Sequence, residues 1–135
     1  MKKKKDISTS VYRDKDLLRV YFNVVKELGN NARYVTRSSI IEQVLKSPAC
    51  CFHTSLKYAC LNVSALLRGK EISCLPIKRI MYEEIKRRYL VCVPTGEIRR
   101  DFSRIIGDII ESPAPCFYLE FGTAFNRINR LIKKL

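Results

Sequence analysis

Ser47-Pro48-Ala49-Cys50-Cys51-Phe52 and Ser112-Pro113-Ala114-Pro115-Cys116-Phe117 are the two stretches that decide how this chain is read. Sliding the sequence against itself by 65 residues superimposes them without a gap and brings their apolar neighbours into line. Ile40-Ile41 meets Ile105-Ile106, Ala59 meets Ala124 and Leu66 meets Leu131. Conservative pairs fill in around these: Val44 with Ile109, Leu45 with Ile110, Val63 with Ile128 and Leu67 with Ile132. These nine identities, five of them in one S-P-A-x-C-F string, indicate an internal duplication. Proline disfavours helical geometry in the residue before it, so each string is a corner, with Phe52 and Phe117 placed to plug it into a core.

Each copy reads as three helices. In the first, Asp14 or Asp16 is suited to cap a helix with the stripe Leu17, Leu18, Tyr21, Val24, Val25 and Leu28, stopped by Gly29-Asn30-Asn31. A second helix starts at Thr36 or Ser39, the latter at capping-box spacing from Glu42, and turns Ile40, Ile41, Val44 and Leu45 inward. Thr54 or Ser55 caps a third that carries Leu56, Ala59, Cys60, Val63, Leu66 and Leu67, with Gly69 as its stop. The second copy predicts a helix over residues 77–89, with Glu83 to Arg87 and Glu84 to Arg88 in the favourable i, i+4 order. Leu90-Val91-Cys92-Val93 reads as an extended connector. A helix through Ile98, Phe102, Ile105, Ile106, Ile109 and Ile110 follows, and a last one spans Phe121 to Leu135.

The expected fold is all-α: two diverged three-helix, helix-turn-helix-like repeats packed as one pseudo-symmetric domain, because three short helices alone bury little surface. The boundaries are a mobile basic arm at 1–12, a first repeat at 13–70, a linker at 71–76 and a second repeat at 77–135. Length and composition agree with a globular chain: 135 residues, 47% hydrophobic and 29% charged, with five Gly and five Pro. No apolar run approaches the ~20 residues that cross a bilayer. Lys2 to Lys5 are followed by Asp6, Ser8 and Ser10 rather than an apolar signal core, so no membrane partner and a cytoplasmic location are expected.

Charge narrows the function. Lys and Arg number 26 against 13 Asp and Glu, a net charge of +13 that suits a polyanion. The outer face of the last helix carries Asn126, Arg127, Asn129, Arg130, Lys133 and Lys134, with no acid after Glu120. Arg bonds guanine edges or phosphate, Asn bonds adenine, and Lys neutralises phosphate without reading sequence. A basic end that complements its own helix dipole accounts for Lys133 and Lys134, but not for Arg127 and Arg130. Lys2, Lys3, Lys4 and Lys5 would add salt-sensitive affinity of the kind flexible basic arms supply. The third helix of the first copy presents Lys57, Leu61, Ser64, Ala65 and Arg68 instead, a face better suited to protein contact.

The expectation is therefore a non-enzymatic protein that binds nucleic acid, double-stranded DNA in the first instance. A helical protein–protein adaptor or virion component is the alternative, and a homo-oligomer is left open. No P-loop, G-x-G-x-x-G, H-E-x-x-H or G-x-S-x-G occurs, so no enzyme and no cofactor is expected. Six cysteines, Cys50, Cys51, Cys60, Cys74, Cys92 and Cys116, include no C-x-x-C pair. They read as reduced buried packing residues, with no metal expected, and a Cys51–His53 nucleophile pair is the sharper alternative.

The strings Ser47-Pro48-Ala49-Cys50-Cys51-Phe52-His53 and Ser112-Pro113-Ala114-Pro115-Cys116-Phe117-Tyr118-Leu119 resemble the S-P-A-P-x-F-Y corner of small basic proteins from gut Bacteroidales and their mobile elements. Leu67-Arg68-Gly69-Lys70 and the Lys78-Arg79 to Arg87-Arg88 helix are similar too, so the resemblance covers most of the chain. That group has no established activity and implies no functional residues; what it implies is phage or conjugative-element biology. The first corner departs from the pattern, with Cys50 for Pro and His53 for Tyr.

Overall fold

The computed structural model describes residues 9–135, and these form six α-helices with no β-strand among them. Helix α1 is Thr9–Leu28, followed by a 3-10 segment Gly29–Tyr34; α2 is Arg37–Lys46, α3 Leu56–Leu67, α4 Pro76–Cys92, α5 Phe102–Ile110 and α6 Phe121–Lys133. The all-α expectation holds. Local chemistry sets the helix ends. Thr36 caps α2 by accepting the Ser39 N–H at 3.1 Å, and Ser55 caps α3 through the Tyr58 N–H at 3.1 Å. Gly29 and Gly69 take the left-handed conformation, φ +58° and +77°, that ends α1 and α3.

Three boundaries differ from the sequence reading. Helix α1 begins at Thr9, ahead of Asp14 and Asp16, so residues 9–12 are helical rather than part of an arm. Residues 2–5 lie outside the described residues. Helix α4 runs on through Leu90, Val91 and Cys92, where an extended connector was expected, and closes with the Val93 N–H on the Tyr89 carbonyl at 2.8 Å. Buried Tyr89 and Val93 anchor that last turn on both sides, which outweighs the strand preference of the valines. Ile98 precedes α5 rather than belonging to it.

The elements recur at the spacing of the sequence repeat. The caps Thr36 and Asp101 are 65 residues apart, as are Ser55 and Glu120. Leu17 with Tyr82, Val20 with Ile85, Val24 with Tyr89, Ile41 with Ile106, Val44 with Ile109, Ala59 with Ala124 and Val63 with Ile128 are all buried.

The chain divides into two compact units, and the division is not at the 71–76 linker. One unit takes the described residues through Ala49 together with Pro115–Leu135, the other Cys50–Ala114. The first packs α1, α2 and α6 around Leu17, Val20, Val24, Ile41, Val44, Ala124 and Ile128. The second packs α3, α4 and α5 around Val63, Leu66, Met81, Ile85, Tyr89, Ile106 and Ile109. Each unit thus takes its first two helices from one copy of the repeat and its third from the other. The chain passes from unit to unit inside the S-P-A corners, at Ala49–Cys50 and Ala114–Pro115.

In the second unit Arg88 organises the corner. It pairs with Glu84 (Nε–Oε2 2.9 Å), donates Nη1–H to Ser112 Oγ at 3.1 Å and to the Pro113 carbonyl at 3.0 Å, and lies 4.9 Å from the centre of the Phe52 ring. The Phe52 N–H donates to the Ile110 carbonyl at 2.9 Å. Phe52 and Phe117 are both buried, as the plug reading requires.

Candidate nucleic-acid interface

Helix α6 is amphipathic. Ala124 and Ile128 are buried, and Asn126, Arg130 and Lys133 follow one another at i, i+4 and i+7 on the exposed side, with Lys134 just beyond the last turn. Arg130, Lys133 and Lys134 form no ion pair among the described residues. Their charges therefore stand open to solvent, at the end of the helix where the dipole also favours cations.

Arg127 sits apart from them. It is half-buried and turned to α1, with Nε 3.5 Å from Asp14 Oδ1, an oxygen that has no hydrogen-bond partner among the described residues. Beside it the Arg13 guanidinium is pushed below its usual basicity, by burial first and by the neighbouring Arg127 charge second, while Asp14 acts in the opposite direction. An arginine at such a site stays protonated near neutral pH. The Arg127–Asp14 pair thus ties α6 to α1 against the repulsion between Arg127 and Arg13, and Arg127 belongs to packing as much as to the outer face. On the other flank Arg37 at the start of α2 donates Nη1–H to Asn129 Oδ1 at 2.7 Å, which brings a further cation alongside the α6 row. Sequence spacing alone does not reveal this neighbour, because Arg37 and Asn129 are 92 residues apart.

The two units treat charge differently. In residues 50–114, Glu71, Glu83, Glu84, Asp101 and Asp108 take up Arg79, Lys86, Arg87, Arg88, Arg99 and Arg104. Glu83 bridges Arg79 and Lys86, while Arg87 goes to Glu84 instead of the expected Glu83. In the other unit only Arg19 to buried Asp16 and Arg127 to Asp14 pair among the described residues, and Lys26, Arg33, Lys46, Arg130, Lys133 and Lys134 face solvent unmatched.

The second unit offers a different surface. An open groove of about 590 Å³ runs between α3 and the start of α5, floored by Leu56, Cys60, Leu61, Ile98 and Phe102, with Lys57 and Arg68 at its edge. Leu61, read from the sequence as a protein-contact residue, is 60% exposed there.

The cysteines are corrected outright. Cys50, Cys74 and Cys92 are exposed, Cys51, Cys60 and Cys116 intermediate, and none is buried. Apolar neighbours in sequence do not fix a side chain's face: Cys92 closes α4 on the side of exposed Val91. None of the six is joined in a disulfide. No described helix is long and apolar enough to cross a membrane. No family model, curated protein or solved structure matches the chain.

Proposed function

We propose that this protein binds double-stranded DNA without catalysing a reaction, using the outer face of α6 on the phosphate backbone. One observation carries the reading: of the eleven Lys and Arg in the described part of the unit that holds α6, only Arg19 and Arg127 are ion-paired among the described residues, whereas six of the eleven in the other unit pair with neighbouring acids. Unpaired exposed cations release condensed counterions when they meet phosphate, and that release supplies affinity. Arg130, Lys133 and Lys134 contact backbone; Asn126, on the same face, contacts a base edge. Arg127 holds α6 on α1, and Arg37 extends the basic row. The resemblance to mobile-element proteins supports a small regulator or architectural factor of such an element.

A gel-shift titration at several salt concentrations tests this. The logarithm of the affinity falls linearly with log salt, and the triple variant Arg130→Ala, Lys133→Ala, Lys134→Ala makes the slope shallower by about 0.9 for each phosphate that is no longer neutralised. Absent binding at low salt, or binding indifferent to salt, rejects the reading.

A second reading has its own observation in the apolar groove of the 50–114 unit. Its exposed Leu56, Leu61 and Ile98 and its basic edge suit an acidic amphipathic helix of a protein partner, which makes the chain an adaptor. A complex that survives nuclease and high salt, and is abolished by Leu61→Asp, favours it over DNA.

A further inference from the structure

We propose that the first corner is a metal site for a thiophilic divalent cation of the zinc type, ligated by Cys50, Cys51 and His53. The three residues bring one donor atom each within 4.8 Å of one another. Cys50 Sγ and Cys51 Sγ are 3.9 Å apart, and Cys51 Sγ is 3.7 Å from His53 Nδ1. Zinc bonds of about 2.3 Å to sulfur and about 2.0 Å to nitrogen, at tetrahedral angles, require edges of about 3.8 Å and about 3.5 Å. Two edges of the ligand triangle therefore already lie within about 0.2 Å of the length that one ion demands.

The frame that holds these donors is fixed before any ion arrives. Phe52, between Cys51 and His53, is buried, and its N–H is bonded to the Ile110 carbonyl at 2.9 Å. Thr54 follows with its N–H on the Phe52 carbonyl at 3.0 Å and its hydroxyl 2.8 Å from the Tyr82 hydroxyl. His53 is 8% exposed and Cys50 is exposed, so the imidazole is held while the ion has a way in. Binding releases one proton from each thiol to solvent, and the two thiolates neutralise the dication. A neutral assembly is the one that a chain of net charge +13 accommodates with least repulsion. Three protein ligands leave a fourth position for water or an external ligand, as open zinc sites do.

The other corner provides an internal comparison. Pro115, Cys116 and Tyr118 occupy the equivalent positions, so it retains one of the three donors. The adjacent Cys-Cys pair followed by His is a departure of the first corner alone, and it supplies two soft sulfurs and a nitrogen where the second corner has one sulfur, a proline ring and a phenol.

Titration of the reduced full-length protein with Co²⁺ tests the assignment. The expected result is one equivalent bound with thiolate-to-cobalt charge-transfer absorption, displaced by one equivalent of Zn²⁺. Cys50→Ser, at an exposed position that leaves the core intact, weakens binding by tenfold or more. Cys74→Ser and Cys92→Ser, at exposed thiols elsewhere, leave it unchanged. Should His53→Gln fail to fold, the Cys50 variant still decides. Absence of the charge-transfer band in the folded protein, wild-type affinity in Cys50→Ser, or loss of binding in the Cys74 or Cys92 variants overturns the site. None of these readouts involves DNA, so the nucleic-acid reading stands or falls separately.

Discussion

Glu84 accepts from three guanidinium nitrogens, two of Arg87 at 2.7 and 3.0 Å and one of Arg88 at 2.9 Å. The Arg87 bonds are the main reason its carboxyl lies below the ordinary 4.5; burial works against them, and the Arg88 bond adds to them. A carboxyl depressed by folding contributes stability that is present above its unfolded value and disappears as pH falls through the folded one. Glu84→Gln should therefore flatten the acid limb of a stability–pH curve below about pH 4.5, as read by urea midpoints, and lower the neutral plateau only slightly. Arg88→Ala removes more, because Ser112, the Pro113 carbonyl and the Phe52 ring are deprived of the same partner. A drop of about 1–3 kcal/mol at neutral pH is expected in urea unfolding. The i, i+4 link from Glu84 to Arg88 was legible in the sequence, but the bonds from Arg88 to the corner were not, since they join positions 24 and 25 residues away.

At the scale of the helix, α6 separates two jobs that the sequence assigns to one basic face. Arg127 is tied to Asp14, whose Oδ1 is buried; Arg130 lies open. Arg127→Ala should lower stability by about 1 kcal/mol or more through the orphaned carboxylate. Arg130→Ala should change it by less than about 0.5 kcal/mol, as exposed substitutions do, and weaken phosphate affinity instead. Thermal melts and gel shifts on the two variants, side by side, check the split. Helical stripes were the most readable elements because their burial follows a period of about 3.6 residues, and Ala124 and Ile128 fall where that period puts them. Helix ends were less readable. Val91 has the shape of a strand former, yet it rides on a turn pinned by Tyr89 and Val93, and pinning comes from packing that spacing does not encode.

For the whole molecule, the 65-residue period announced the positions that are buried but not which partners bury them. Ala59 and Ala124, or Val63 and Ile128, are near-equivalent side chains at equivalent sites, so either third helix carries a stripe that fits either pair of preceding helices. The pattern is degenerate on that point, and only the three-dimensional packing resolves it. The consequence is testable by truncation. A chain ending at residue 114 keeps every helix of the 50–114 unit and lacks α6, so α1 and α2 are stripped of the Ala124 and Ile128 side of their core. Hydrogen exchange should show α3, α4 and α5 still protected and α1 and α2 exchanging freely.

That exchange of third helices also sets a timetable on the ribosome. The 50–114 unit is continuous in sequence and is free to fold while its last segment is emerging, whereas α1 and α2 wait for a helix that follows the whole of that unit in the chain. Pairings such as Arg37 to Asn129 make the first-synthesised unit the one of high contact order and the last to close. The face assigned to DNA would therefore come into being only after the whole 50–114 unit has been made, which keeps its unmatched cations from acting on nucleic acid while that unit is still emerging.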